Sequence, residues 1–125
     1  MTPRYSEPLF VISVAARLVE MHPQTLRKYE REGLVAPSRT TGNLRLYSDR
    51  DIERLRQVKY LVEERGLNLA GVQLALELTA SLRDLRSRTG PKPGRPGGAT
   101  GATDLQRELD LVLASLGFIE EPAPT

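Results

Sequence analysis

Pro23 and Gly33 bracket a stretch with room for one short helix, and the residues between them divide cleanly by face. Proline suits the first helical position, where its missing N–H would be unpaired anyway, and glycine tolerates the left-handed conformation that ends a helix. Leu26 and Tyr29 fall on one face, while Gln24, Arg27, Lys28 and Arg31 fall on the other at i, i+3, i+4 and i+7. The chain is committed here to a helix with an apolar inner side and a row of hydrogen-bond donors outside.

The surroundings give that helix a setting. Residues 1–9 carry two prolines and no hydrophobic period, so they read as a flexible arm until Phe10, Val11 and Ile12 supply anchoring. Ser13 is placed to cap a first helix whose inner face is Val14, Leu18 and Met21, and His22 caps the second. Two short helices joined by a tight turn, the second presenting donors, make a helix-turn-helix. Extended stretches at 34–37 and 44–47 flank Gly42-Asn43, which predicts a small β-hairpin wing. Ser48 with Asp51 three residues on predicts a capping box, followed by a stripe of Ile52, Leu55, Val58 and Val62 that stops at Gly66.

Asn68 can cap a fourth helix carrying Val72, Leu74, Ala75 and Leu78, with Leu82 and Leu85 continuing the seam to about Arg88. Residues 89–103 hold three prolines and five glycines, a composition that cannot pack a core and reads as a flexible linker. Asp104 then caps an amphipathic helix over 104–116 with Leu105, Leu109, Val112 and Leu116 on one side, closed by Gly117 before a tail at 117–125.

Charge is local rather than global. The formal net charge is only +2, yet residues 23–59 hold nine basic side chains against five acidic ones, and beyond residue 103 one arginine faces five acids. A nucleic-acid surface must therefore lie in the first half. The chain has no cysteine and one histidine, which excludes disulfides and thiolate metal sites, and no metal or cofactor is expected. No nucleophile–base–acid arrangement or phosphate-cradling glycine loop is present, so an enzyme is not expected and no catalytic residue is assigned. No apolar run reaches the ~20 residues of a membrane span, and the N-terminus lacks a signal-peptide apolar core. The expectation is a cytoplasmic protein.

Three motifs stand in order: Ser13-Val14-Ala15-Ala16, then Thr25-Leu26-Arg27-Lys28-Tyr29-Glu30-Arg31-Glu32-Gly33-Leu34-Val35, then Arg45-Leu46-Tyr47-Ser48 followed by Asp51-Ile52. Through them residues 10–78 resemble the MerR family of winged-helix regulators. Met21-His22, Leu55-Arg56-Gln57-Val58 and Gly66-Leu67-Asn68-Leu69-Ala70-Gly71 resemble its HspR branch of heat-shock repressors in particular. The resemblance implies a mainly α, winged helix-turn-helix DNA-binding domain at 10–78 and a short dimerisation helix at 79–88 with Leu78, Leu82 and Leu85 at its seam. It further implies a bacterial, nucleoid-associated homodimer on an inverted-repeat operator, repression of chaperone genes, and the chaperone DnaK as co-repressor. The same winged helix also serves activators that answer a small molecule and compact DNA-bending or recombination-directionality proteins.

In that setting Gln24 offers an amide suited to adenine, and Arg27 and Lys28 offer donors suited to guanine or phosphate, with Thr25 and Arg31 on the same helix. Arg45 and Tyr47, with Arg39 and Arg54, are the expected phosphate contacts of the wing and the helix after it. Packing beneath the wing is the other reading of Tyr47, and capping is the expected role of His22 in preference to pH sensing or metal binding.

Overall fold

The computed structural model describes residues 4–89 and 99–118, which fall in two compact units divided between Leu69 and Ala70. The first unit runs from a 3-10 turn at Arg4–Ser6 through β1 (Pro8–Val11), α1 (Ile12–Val19), α2 (Pro23–Arg31), β2 (Ser38–Arg39), β3 (Arg45–Ser48) and α3 (Asp49–Glu63). The arm expected at 1–9 is thus partly built structure, with residues 1–3 outside the described set. Its Tyr5 hydroxyl donates to Glu53 Oε1 at 2.7 Å, and β1 pairs antiparallel with β3, placing Phe10 opposite Tyr47 and Val11 opposite Leu46. The wing is therefore the outer part of a three-stranded sheet, order β1-β3-β2, and not a lone hairpin.

Helix α1 starts directly from β1 with Val11 at the N-cap and no side-chain cap, so Ser13 does not cap it. Its inner face is Ala15, Ala16 and Val19, whereas Leu18 is 41% exposed and Val14 and Met21 are only half-buried. Two alanines let the helix approach α2 and α3 closely, and that approach fixes its rotation. Glu20, in the left-handed region at φ 55°, turns the chain toward α2. His22 and Pro23 do as expected: His22 Nδ1 accepts from the Gln24 N–H at 3.0 Å, and Pro23 opens the helix. At the other end Gly33 has φ 79°, and the N–H groups of Gly33 and Leu34 close on the carbonyls of Glu30 and Tyr29. This Schellman closure carries Leu34, 2% exposed, into the core beside Val35.

Burial of Leu34 and Val35 is why the first wing strand is not at 34–37. It lies at Ser38–Arg39, with Ser38 opposite Leu46 and Arg39 opposite Arg45. The turn between uses Asn43 at φ 63°, its N–H donating to the Thr40 carbonyl at 2.9 Å. The capping box of α3 forms in both directions: Asp51 N–H to Ser48 Oγ at 3.1 Å and Ser48 N–H to Asp51 Oδ2 at 3.0 Å. Ile52, Leu55, Val58 and Leu61 are its buried row, with Val62 half-buried.

The second unit is built on α4 (Leu69–Thr89), one continuous helix across the expected 78/79 boundary, and α5 (Ala99–Ser115). Most of the expected linker, 90–98, lies outside the described residues. The remainder does not bear it out: Thr89 ends α4, and α5 begins at Ala99, so Asp104 is inside the helix and does not cap it. Val72, Ala75, Leu76 and Thr79 are buried on α4, while Leu74 and Leu78, expected on the inner face, are 56% and 46% exposed.

On α5 the buried positions are Leu109 and Leu113, followed by Phe118, in place of the expected Leu105 and Val112, which are exposed. Leu116 is half-buried. Helix α5 folds back along α4: Arg86 pairs with Asp110 at 2.8 Å, Gln106 Nε2 donates to the Arg86 carbonyl at 3.0 Å, and the Arg83 guanidinium sits 4.4 Å from the Phe118 ring centroid. Gly117, φ 83°, closes α5 as expected.

Candidate nucleic-acid interface

The donor row on α2 is presented as its periodicity requires. Leu26 and Tyr29, 0% and 9% exposed, hold the inner side, while Gln24, Lys28 and Arg31 are exposed and Arg27 is half-exposed. Thr25 is half-buried and its N–H is used within the fold, donating to the His22 carbonyl at 2.9 Å. The side chains of Arg27, Lys28 and Arg31 make no hydrogen bond or ion pair among the described residues, so their cations are available to a ligand.

The wing arginines are organised by an acid on α2. Glu30 Oε2 accepts from Arg39 Nη2 at 3.0 Å, and Glu30 Oε1 accepts from Arg45 Nε. Burial alone would lift the Glu30 carboxyl, but hydrogen bonds from Arg45 and Arg39 outweigh it and bring its pKa below the ordinary value. Arg39 also donates through Nη1 to the Asn43 carbonyl at 3.2 Å, so its guanidinium is largely occupied in tying the wing turn to α2. Arg45 gives up only Nε, which leaves both Nη groups without a partner among the described residues.

Arg54 on α3 shows the same economy: its Nε donates to the Leu34 carbonyl. Burial pulls its pKa below the ordinary arginine value, and Arg50 nearby adds to the effect. By contrast Arg56 and Lys59 turn to the end of α1, donating to the carbonyls of Leu18, Val19 and Glu20 at 3.2–3.3 Å. They serve the fold.

Tyr47 departs from its expected role as a phosphate contact. It is 0% exposed, and its hydroxyl meets no hydrogen-bond partner among the described residues. Burial pushes the phenol pKa above its ordinary value, with the Glu30 charge adding to the rise. The side chain packs beneath the wing.

Residues 10–79 match the model of the MerR HTH family of regulatory proteins, more than half of the chain. The chain belongs to the MerR family. Among MerR-type relatives it is 50% identical over 108 residues to the heat shock protein HspR of Streptomyces coelicolor, covering 86% of this chain and 70% of that protein. It is 41% identical over 73 residues to the transcriptional regulator GlnR of Bacillus cereus, covering 58% of this chain and 56% of that one. The solved transcription regulator PbrR691 of Ralstonia metallidurans, in complex with lead(II), aligns at TM-score 0.48 and 25% identity over 87% of this chain and 80% of that chain. The protein is an HspR-like MerR regulator, a DNA-binding protein of transcription control. No described helix is long and apolar enough to cross a membrane.

Within this MerR domain the first unit brings together Gln24, Arg27, Lys28, Arg31, Arg45 and Arg54 as accessible donors, and it assigns Arg39 chiefly to the wing. Two participants were not singled out from sequence. Glu30 registered only as one of the acids, although hairpin register would have placed Arg39 and Arg45 opposite each other and called for an anion between them. Arg50, exposed in the first turn of α3 and close to Arg54, registered only as charge.

Proposed function

We propose that this MerR protein represses heat-shock and chaperone genes by binding an inverted-repeat operator as a homodimer, with DnaK as co-repressor. The observation that carries this reading is the 50% identity to HspR, because an alignment of 108 residues extends well past the winged-helix domain and into the second unit. The recognition helix α2 reads bases through Gln24, Arg27 and Lys28, with Arg31 beside them, while Arg45 and Arg54 hold phosphates and fix register.

Dimerisation uses the leucine row of α4. Leu74 and Leu78 leave a large apolar surface on that helix, Leu82 and Leu85 continue it half-buried, and exposed apolar surface of this kind favours a partner. Bound over a promoter in the cytoplasm, the dimer blocks polymerase.

The test is enrichment of genomic fragments by the full-length chain, followed by addition of purified DnaK. Fragments from upstream of chaperone genes, retained more tightly with the chaperone, are the expected result. Enrichment of unrelated promoters, or no preference among fragments, would sink the repressor assignment. The mass of the free protein in solution checks the dimer.

A further inference from the structure

An acid on a helix that meets DNA is a liability, since it repels the phosphates that its basic neighbours attract. Glu30 nevertheless stands on α2 with one wing arginine on each carboxylate oxygen. The register explains what it does there. Arg39 and Arg45 face each other across β2 and β3, an arrangement in which like charges destabilise the pair. A carboxylate shared between them turns that repulsion into a bridge from wing to recognition helix. The bridge takes only Nε from Arg45, leaving the Nη pair, the fork that grips a phosphate in bidentate fashion.

We propose that Glu30 is a positioning residue for DNA binding: it holds Arg45 by Nε so that the Nη fork is set for a backbone phosphate beside the recognition helix. The proposal rests on the DNA-reading function above. Glu30 therefore strengthens binding although its charge has the wrong sign, and it does so through Arg45.

The experiment uses a duplex enriched by the full-length wild-type chain from genomic fragments, and a scrambled duplex of equal length. Glu30→Gln removes the charge and keeps the size. Positioning predicts that E30Q binds the enriched duplex about tenfold more weakly, since charge-assisted contacts are the strong class. The slope of log K against log salt should become shallower by about 0.9 for each phosphate that is no longer gripped.

Charge alone predicts the reverse, tighter binding with an unchanged slope. Introduced into an Arg45→Gln background, E30Q should shift affinity by less than about twofold, the behaviour of a residue acting through a partner already removed. If E30Q melts below the assay temperature, Glu30→Asp, whose shorter carboxylate cannot span both arginines, replaces it in the same cycle. Equal or tighter binding by the Glu30 variant, or an undiminished effect in the R45Q background, overturns the proposal. Equal wild-type affinity for the two duplexes would instead overturn the DNA-reading function itself.

Discussion

Tyr47→Phe asks how the wing is seated, and the answer expected from the structure is a gain in stability. The ring is 0% exposed and lies opposite Phe10 across β1 and β3, so the substitution keeps every apolar neighbour. Only the hydroxyl is removed, and it has no hydrogen-bond partner among the described residues. A buried polar group left unpaired costs about 1–3 kcal/mol. Vacating the volume of one oxygen returns only a few tenths of that, at roughly 24 cal/mol per Å³ of cavity. The net expectation is stabilisation of about 1–2 kcal/mol, with an unfolding midpoint several degrees higher.

Urea titration followed by circular dichroism measures it, and the midpoint should rise with the slope m unchanged. Affinity for the enriched duplex should be the same as for wild type, because a side chain beneath the wing does not touch phosphate. A lower midpoint would show that the hydroxyl is bonded within the fold. A tenfold loss of affinity in a variant that melts normally would show that it meets DNA. Either result refutes the reasoning.

Arg27→Ala should lose specific affinity far more than affinity for random duplex, whereas Arg45→Ala should weaken both and flatten the salt dependence; equal losses in the two variants would contradict the division between base reading and phosphate gripping. Ser48→Ala removes one half of the capping box at the start of α3, and urea unfolding should report a loss of about 1 kcal/mol. The Glu30 carboxyl titrates below its ordinary value, so the stability it contributes is complete above the unfolded-state pKa and disappears as pH falls through the folded one. The difference in melting temperature between wild type and E30Q should accordingly stay constant through neutral pH and close only below the ordinary glutamate range of about 4.3. Closure already at pH 6 would contradict that sign.

What could be read from the sequence was mostly what is decided within a few residues, although the caps expected at Ser13 and Asp104 are not formed. The His22 cap, Pro23 at the helix start, Gly33 and Gly117 at helix ends and the Ser48–Asp51 box depend on near neighbours, and all appear in the structure. The strand β1 did not announce itself, because its partner β3 lies more than thirty residues away in the chain. Helix rotation was missed where leucines occupy more than one face. On α4, Val72 and Leu76 are buried and Leu74 and Leu78 exposed, a choice that hydrophobicity alone does not make. On α1 the deciding residues are alanines, whose small size matters only once α2 and α3 are known to press against them.

The same distinction governs the interface. Which face of α2 carries donors follows from a period of 3.6, so Gln24, Arg27, Lys28 and Arg31 were placed correctly on the outer side. The use to which each arginine is put depends on which carbonyl or carboxylate lies within reach, and that is a tertiary fact. Nine cations between residues 23 and 59 look alike as charges. In the fold, Arg56 and Lys59 are committed to the end of α1 and Arg39 to the wing turn; among the described residues Arg45 and Arg54 are each held by Nε alone, and the side chains of Arg27, Lys28, Arg31 and Arg50 have no hydrogen bond or ion pair. The set of cations free for a ligand is therefore smaller than the local charge suggests, and it is better defined. A guanidinium held by Nε has given up rotamer freedom before the ligand arrives, so gripping a phosphate costs it less entropy than it costs one swinging in solvent. On the proposed reading, Arg45 and Arg54 would anchor the wing and α3 to the backbone in this way, and the unpaired side chains of α2 would keep the freedom to adjust to the bases between those two anchors.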